Sequence, residues 1–121
     1  MAESVMLEKS KDFAVEIVRL CKDIKRTQRE SVLTNQLIRA GTSIGANIHE
    51  SKYASSKADF IYKMQIALKE CYEAEYWLEI LNRTGYIDDE RYSKALSQCG
   101  QLRRMLVSSI NTVKEKYNID S

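Results

Sequence analysis

The residues of this chain that could do chemistry are few: one histidine, three cysteines, and a line of polar side chains set beside an apolar stripe. His49 is followed by Glu50, which is how a zinc-binding His-Glu-x-x-His pair begins, but that pair needs a second histidine one helical turn later and the chain has none. The same shortage removes the di-iron bundle site, which is built from inward-facing Glu-x-x-His pairs. A helical ribonuclease that uses a closely spaced arginine and histidine is also a poor match, because nine residues separate Arg39 from His49. Cys21, Cys71 and Cys99 are odd in number and far apart, which argues against a disulfide framework and a zinc knuckle. Each falls on an apolar stripe and reads as a buried thiol. No nucleophile with a recognisable base and no phosphate-binding glycine loop is present, so neither an enzyme nor a cofactor is expected.

The polar line is more informative. Arg39, Ser43, Asn47 and Glu50 recur at steps of four, four and three, which places them on one side of a helix. They border an apolar stripe of Leu37, Ala40, Ile44 and Ile48 that also carries Gly41 and Gly45. Two glycines inside a helix cost roughly 2 kcal/mol relative to alanine, which points to another helix packed closely over them. Polar groups beside a core must be hydrogen-bonded or wet. With the next turn centred near Ala54, Arg39 lies level with about Lys69, beside Glu70 and Glu73. A bridge from Arg39 to Glu70 or Glu73 would fix the register of two helices. A ligand or partner site made of the same residues is the other reading, and the sequence leaves both open.

The elements that position these residues follow from periodicity. Proline is absent and glycine occurs only four times, a composition of long helices. Helices are expected over about 4–26, 31–53, 56–84 and 88–117. The first has its seam on Met6, Phe13, Ile17, Leu20 and Ile24. The third carries the most regular heptad, Phe60, Met64, Ala67, Cys71, Ala74, Leu78 and Leu81, and the fourth runs on Tyr92, Leu96, Cys99, Leu102, Leu106, Ile110 and Val113. Ser56 with Asp59 reads as a capping box, Gly85 as a left-handed helix stop, and Asp88 with Asp89 as the next cap. Four amphipathic helices with short links make one all-α domain over 1–121, an antiparallel up-down-up-down four-helix bundle.

Two surfaces remain once the core is assigned. Tyr72, Tyr76 and Ile80 form a second stripe at steps of four, with Tyr62 further along and Trp77 at its flank. This is either an interface for self-association or a set of scattered surface aromatics. Lys22, Lys25, Arg26 and Arg29 cluster near one helix end, and the topology brings Arg83 and Arg91 there too. That end is either a phosphate-contacting pole for RNA or DNA or a solvated turn. The net charge of +2 does not by itself mark a nucleic-acid binder. No apolar run is long enough to span a bilayer and the first residues lack a signal-peptide core, so a cytoplasmic protein with no membrane association is expected.

The run Arg39-Ala40-x-x-Ser43-Ile44-x-x-Asn47-Ile48-x-Glu50, with Gln36 before it and Asp59-Phe60, the Ala67 to Glu75 segment and Gly85-Tyr86-Ile87 after it, resembles the four-helix bundle proteins encoded in 23S rRNA intervening sequences. The resemblance runs from the first helix to Tyr117. It implies a ring-like homopentamer with no established enzymatic activity. The family is also similar to the accessory protein of diversity-generating retroelements, a basic pentameric bundle that binds nucleic acid and a protein partner, the reverse transcriptase. Arg39, Ser43, Asn47 and Glu50 match the recurring positions of the family, whereas the near-neutral charge departs from those accessory proteins.

Overall fold

A computed structural model describes residues 2–119. Its four helices are α1 (Ala2–Gln28), α2 (Val32–Ser51), α3 (Lys57–Arg83) and α4 (Asp89–Lys116). They form an antiparallel up-and-down bundle in which each helix packs on its neighbours in chain order and α4 closes against α1. The α2–α3 pair is the most extensively packed and α1–α4 the least. No strand occurs among the described residues.

Helices α2, α3 and α4 each begin where a side chain can accept orphaned N–H groups. At α2 that acceptor is Glu30, whose carboxylate takes the amides of Leu33 at 2.5 Å and Thr34 at 2.9 Å, while Ser31 makes no side-chain cap. At α3, Ser56 Oγ accepts from the Asp59 amide at 3.0 Å, and the Asp59 carboxylate returns a bond to the amide of Ser55 at 3.1 Å. Asp88 accepts from the Arg91 amide at 2.8 Å to start α4. α3 stops because Gly85 takes a φ of +87°, which lets the Tyr86 amide reach back to the Leu81 carbonyl at 2.8 Å. The link between α1 and α2 is shorter than the sequence pattern implies. α1 continues through Gln28, and Arg29 makes the turn with a φ of 57°.

The core is the set of stripes at helical spacing. Phe13, Ile17, Ile24, Leu37, Ile44, Ile48, Leu78, Leu81, Leu102 and Leu106 are all fully buried. On α3 the seam facing α2 includes the small residues Ala67, Cys71 and Ala74, also fully buried, which allows that pair to pack closely. Phe60, Tyr92, Leu96 and Val113, seam positions expected from the sequence, are only half-buried, as is Leu33. Leu33, Phe60 and Tyr92 lie in first helical turns, where one side of the core is open. On α4 it is Ala95 that is buried in place of Leu96, and Ala95 lines a small cavity with Ile17 and Leu20 where α1 and α4 diverge.

Gly41 and Gly45 mark the closest approach of α1 to α2. A Cβ on Gly41 would sit 3.0 Å from Ile17 Cγ2, and one on Gly45 would sit 2.9 Å from Ser10 Oγ. Ser10 is a polar core residue that the apolar pattern does not reveal. It is fully buried and its hydroxyl donates to the Leu7 carbonyl at 2.6 Å.

Candidate functional site

The polar line on α2 divides into separate pieces. Arg39 reaches across to α3, where Nη1 donates to Glu70 Oε2 at 3.3 Å and Nη2 to Glu73 Oε2. Ser43 and Asn47 do not join this cluster. Ser43 Oγ donates to the Arg39 carbonyl at 2.6 Å, and Asn47 Nδ2 donates to the Ser43 carbonyl at 2.9 Å, so both side chains fold back onto their own helix. Glu50 pairs instead with Lys63 at 3.0 Å, one further tie between α2 and α3. Arg39, Ser43, Asn47, Glu50, Glu70 and Glu73, expected to form one polar network, therefore divide into two interhelical ion-pair clusters, Arg39 with Glu70 and Glu73 and Glu50 with Lys63, separated by back-bonded polar residues. The reason is geometric: a short hydroxyl or amide on a helix reaches its own carbonyl four residues back more easily than the next helix.

The two carboxylates that receive Arg39 are unequal. Glu70 is the more buried, its Oε1 has no hydrogen-bond partner, and burial, followed by the neighbouring Glu73, pushes its carboxyl above the usual range. Hydrogen bonding with Glu70, followed by Arg39, holds Glu73 below the usual range. The Arg39 guanidinium is pushed up by its bond to Glu73. Burial thus disfavours the charged form of Glu70 more than that of Glu73.

The outer face of α3 presents the aromatic stripe. Tyr62, Tyr72 and Tyr76 are exposed, between 54% and 60% of each residue's surface, and Trp77 and Ile80 are half-buried beside them. Tyr76 meets Trp77 edge-on with ring centroids 5.0 Å apart. Arg103 of α4 extends over the Tyr72 ring at 5.6 Å and donates Nε to Glu75 at 3.0 Å. The indole N–H of Trp77 and the side-chain oxygen of Gln98 on α4 are both buried with no partner. Arg103, Glu75 and Gln98 are the residues of this face that sequence reasoning missed. Glu75 and Arg103 each sit next to a core position, Ala74 and Leu102, and flanking charges of opposite sign on adjacent helices are the signal that could have paired them.

The basic end is largely engaged in ion pairs. Arg26 and Arg91 share Asp23 at 3.4 and 3.5 Å, Arg83 pairs with Glu79 at 3.1 Å, and Lys25 donates to Asn35 at 2.5 Å. Lys22 and Arg29 make no ion pair among the described residues. His49 is exposed and packs edge-on with Tyr53. All three cysteines are free and buried. Burial pushes the Cys21 thiol up to about 12, and the Cys99 thiol is pushed up by its hydrogen bond with Cys71 and by burial. No group of His, Cys, Asp or Glu that could hold a metal ion occurs among the described residues.

The fold and its site define a class: a small antiparallel helical bundle, pinned across α2 and α3 by an arginine on two carboxylates. The chain belongs to the 23S rRNA-intervening sequence protein family, whose profile matches residues 2–108. It is similar to a protein of unknown function from the S23 ribosomal protein family of Bacteroides thetaiotaomicron VPI-5482, seen in a crystal structure at 1.70 Å resolution. The two are 48% identical, with a TM-score of 0.90, over 92% of this chain and 99% of that one. Comparison with curated proteins gives no match. Among the described residues, no helix is long and apolar enough to cross a membrane.

Proposed function

We propose that this protein is a non-enzymatic assembly module that self-associates through the outer face of α3 and the adjoining edge of α4. The observation that carries the reading is the row of exposed aromatic side chains on one face of α3, Tyr72 and Tyr76 with Trp77 half-buried at their flank. A subunit seated on this face removes their apolar surface from water, which stabilises the contact by about 25 cal/mol for each Å² covered. Tyrosine, tryptophan and arginine are also the residues that most often dominate such contacts, and Arg103 completes the set. A ring-like homopentamer, as the family resemblance implies, would repeat this face at every subunit boundary. Support for a non-enzymatic role comes from Cys21 and Cys99, whose raised pKa values make them poor nucleophiles, and from His49, which has no acid or base partner among the described residues.

Native mass tests the proposal. The protein is expected to sediment as a species several times its 14.0 kDa chain mass, and Tyr72→Ser with Tyr76→Ser to shift it toward the single chain with helicity unchanged. Trp77 is the sole tryptophan, so its emission should move to the red on dilution as the interface separates. A monomeric parent, or an unchanged mass in the double variant, would overturn the reading.

A further inference from the structure

The bundle end formed by the α2–α3 turn and the last turns of α4 holds an open cleft of about 990 Å³, at the large end of the range for small-ligand sites. Among the described residues its charged lining consists of Lys52, Lys57 and Lys116, without a carboxylate. None of the three lysines has an ion-pair partner among the described residues. Lys57 and Lys116 converge on the same ring, their ammonium groups lying 4.7 and 5.5 Å from the centroid of Tyr117. An anion in the cleft would give these ammonium groups the opposite charge that none of them has among the described residues.

Three of the hydroxyls that line the cleft are free to bind a ligand. On α2 the side chains of Thr34, Thr42, Ser43 and Ser51 all donate to carbonyls of the preceding turn. On α4, by contrast, Ser108, Ser109 and Thr112 make no hydrogen bond among the described residues, although they line the cleft. Ser108, Thr112 and Lys116 follow one another at steps of four, so one edge of α4 offers two free hydroxyls and an ammonium in a row. Half-buried Phe60 and Val113 supply an apolar floor. Of the amides in the first turn of α3, that of Asp59 is already engaged by Ser56.

We infer that this cleft binds a phosphate monoester carrying a planar ring, that is, a nucleoside phosphate, with the phosphate between Lys57 and Lys116 and the ring on Phe60 and Val113. Lysine and hydroxyl donors match the oxygens of a phosphate, and the floor gives the ring an apolar surface. The site uses none of Tyr72, Tyr76, Trp77, Gln98 or Arg103, and the inference does not depend on the aromatic face.

Calorimetric titration of the full chain at low salt with adenosine 5′-monophosphate, inorganic phosphate and adenosine tests the inference. The nucleotide is expected to saturate one site per chain below about 1 mM, with phosphate and adenosine each at least about tenfold weaker. Lys57→Gln with Lys116→Gln should weaken the nucleotide by about tenfold or more, with unchanged helicity, whereas Lys25→Gln at the other end should leave it unchanged. No saturation by the nucleotide, equal binding in the double variant, or phosphate binding as tightly as the nucleotide would each overturn the assignment. Native mass, measured on the same samples, reports separately on self-association.

Discussion

Replacing the helical glycines one at a time by alanine should give opposite signs at different positions, because the three replacements share one intrinsic gain and differ only in what the new methyl meets. The gain is about 1 kcal/mol for alanine over glycine in a helix interior. At Gly41 the methyl would meet Ile17 at Cγ2, Cγ1 and Cβ, at 3.0, 3.2 and 3.3 Å, and Ile17 is fully buried. A β-branched side chain fixed in the core cannot swing aside, so overpacking of about 3 kcal/mol leaves Gly41→Ala less stable by roughly 2 kcal/mol. At Gly45 the 2.9 Å contact is to Ser10 Oγ, while Ser10 Cβ stands at 3.4 Å, an ordinary contact distance. Gly45→Ala should therefore lose about 1 kcal/mol alone but gain stability in a Ser10→Ala background, where the oxygen is gone. At Gly100 the methyl meets only guanidinium tips of Arg104 and Arg103, at 3.3 and 3.5 Å, so Gly100→Ala should gain about 1 kcal/mol. Urea unfolding at one fixed chain concentration measures all four changes. A stabilised Gly41→Ala, or no sign reversal at Gly45 when Ser10 is alanine, would refute the close approach of α1 to α2.

Two further outcomes concern the arginine seam. Arg39→Ala should lower stability by about 1 kcal/mol, a modest value because the arginine side chain is 49% exposed, and differential scanning calorimetry should show a lower Tm. An unchanged Tm would leave the seam without a structural role. Glu70→Gln tests the unequal carboxylates through pH. Because the folded Glu70 titrates above the ordinary value of 4.5, the folded state holds its proton more tightly, and stability falls as pH rises from 4.5 through the raised value. Glu73 is held low, so its contribution is present above 4.5 and is lost as pH falls through the depressed value. The Tm of Glu70→Gln relative to the parent should thus improve between about pH 4.5 and pH 7; a constant or worsening difference would contradict the burial of Glu70.

The helical seams and caps were legible in the sequence because they depend on neighbours three or four residues apart. Met64, Ala67, Cys71, Ala74, Leu78 and Leu81 need only the period of a helix to be placed inside. The level of Arg39 opposite Glu70 and Glu73 follows from counting equal lengths of helix away from a turn, since both sides rise at the same rate. Ser10 and Thr34 were not legible: each is a polar residue buried by a close helix pair, and nothing local marks that proximity. The bond of Arg103 to Glu75, the unmet atoms of Trp77 and Gln98, and the lysine-lined cleft all depend on which faces of two or three helices are brought together. The division of the α2 polar line into separate parts depends on whether a short side chain prefers its own backbone, and spacing is silent on that.

The uneven packing around the bundle also sets the order in which it can open. With α2 and α3 as the most extensively packed pair and α1 against α4 as the least, the molecule resembles a book whose spine is the α2–α3 seam and whose covers meet only loosely. Local opening at the lowest free energy then separates α1 from α4, while the spine opens only when the whole molecule unfolds. The small cavity lined by Ile17, Leu20 and Ala95 lies on this loose edge, where the two covers already stand apart. Backbone amides along that edge should exchange with solvent first, and those around Ala67, Cys71 and Ala74 last. The last-exchanging residues are the ones from whose helix the tyrosines project, so the face proposed for assembly is carried by the part of the fold that moves least.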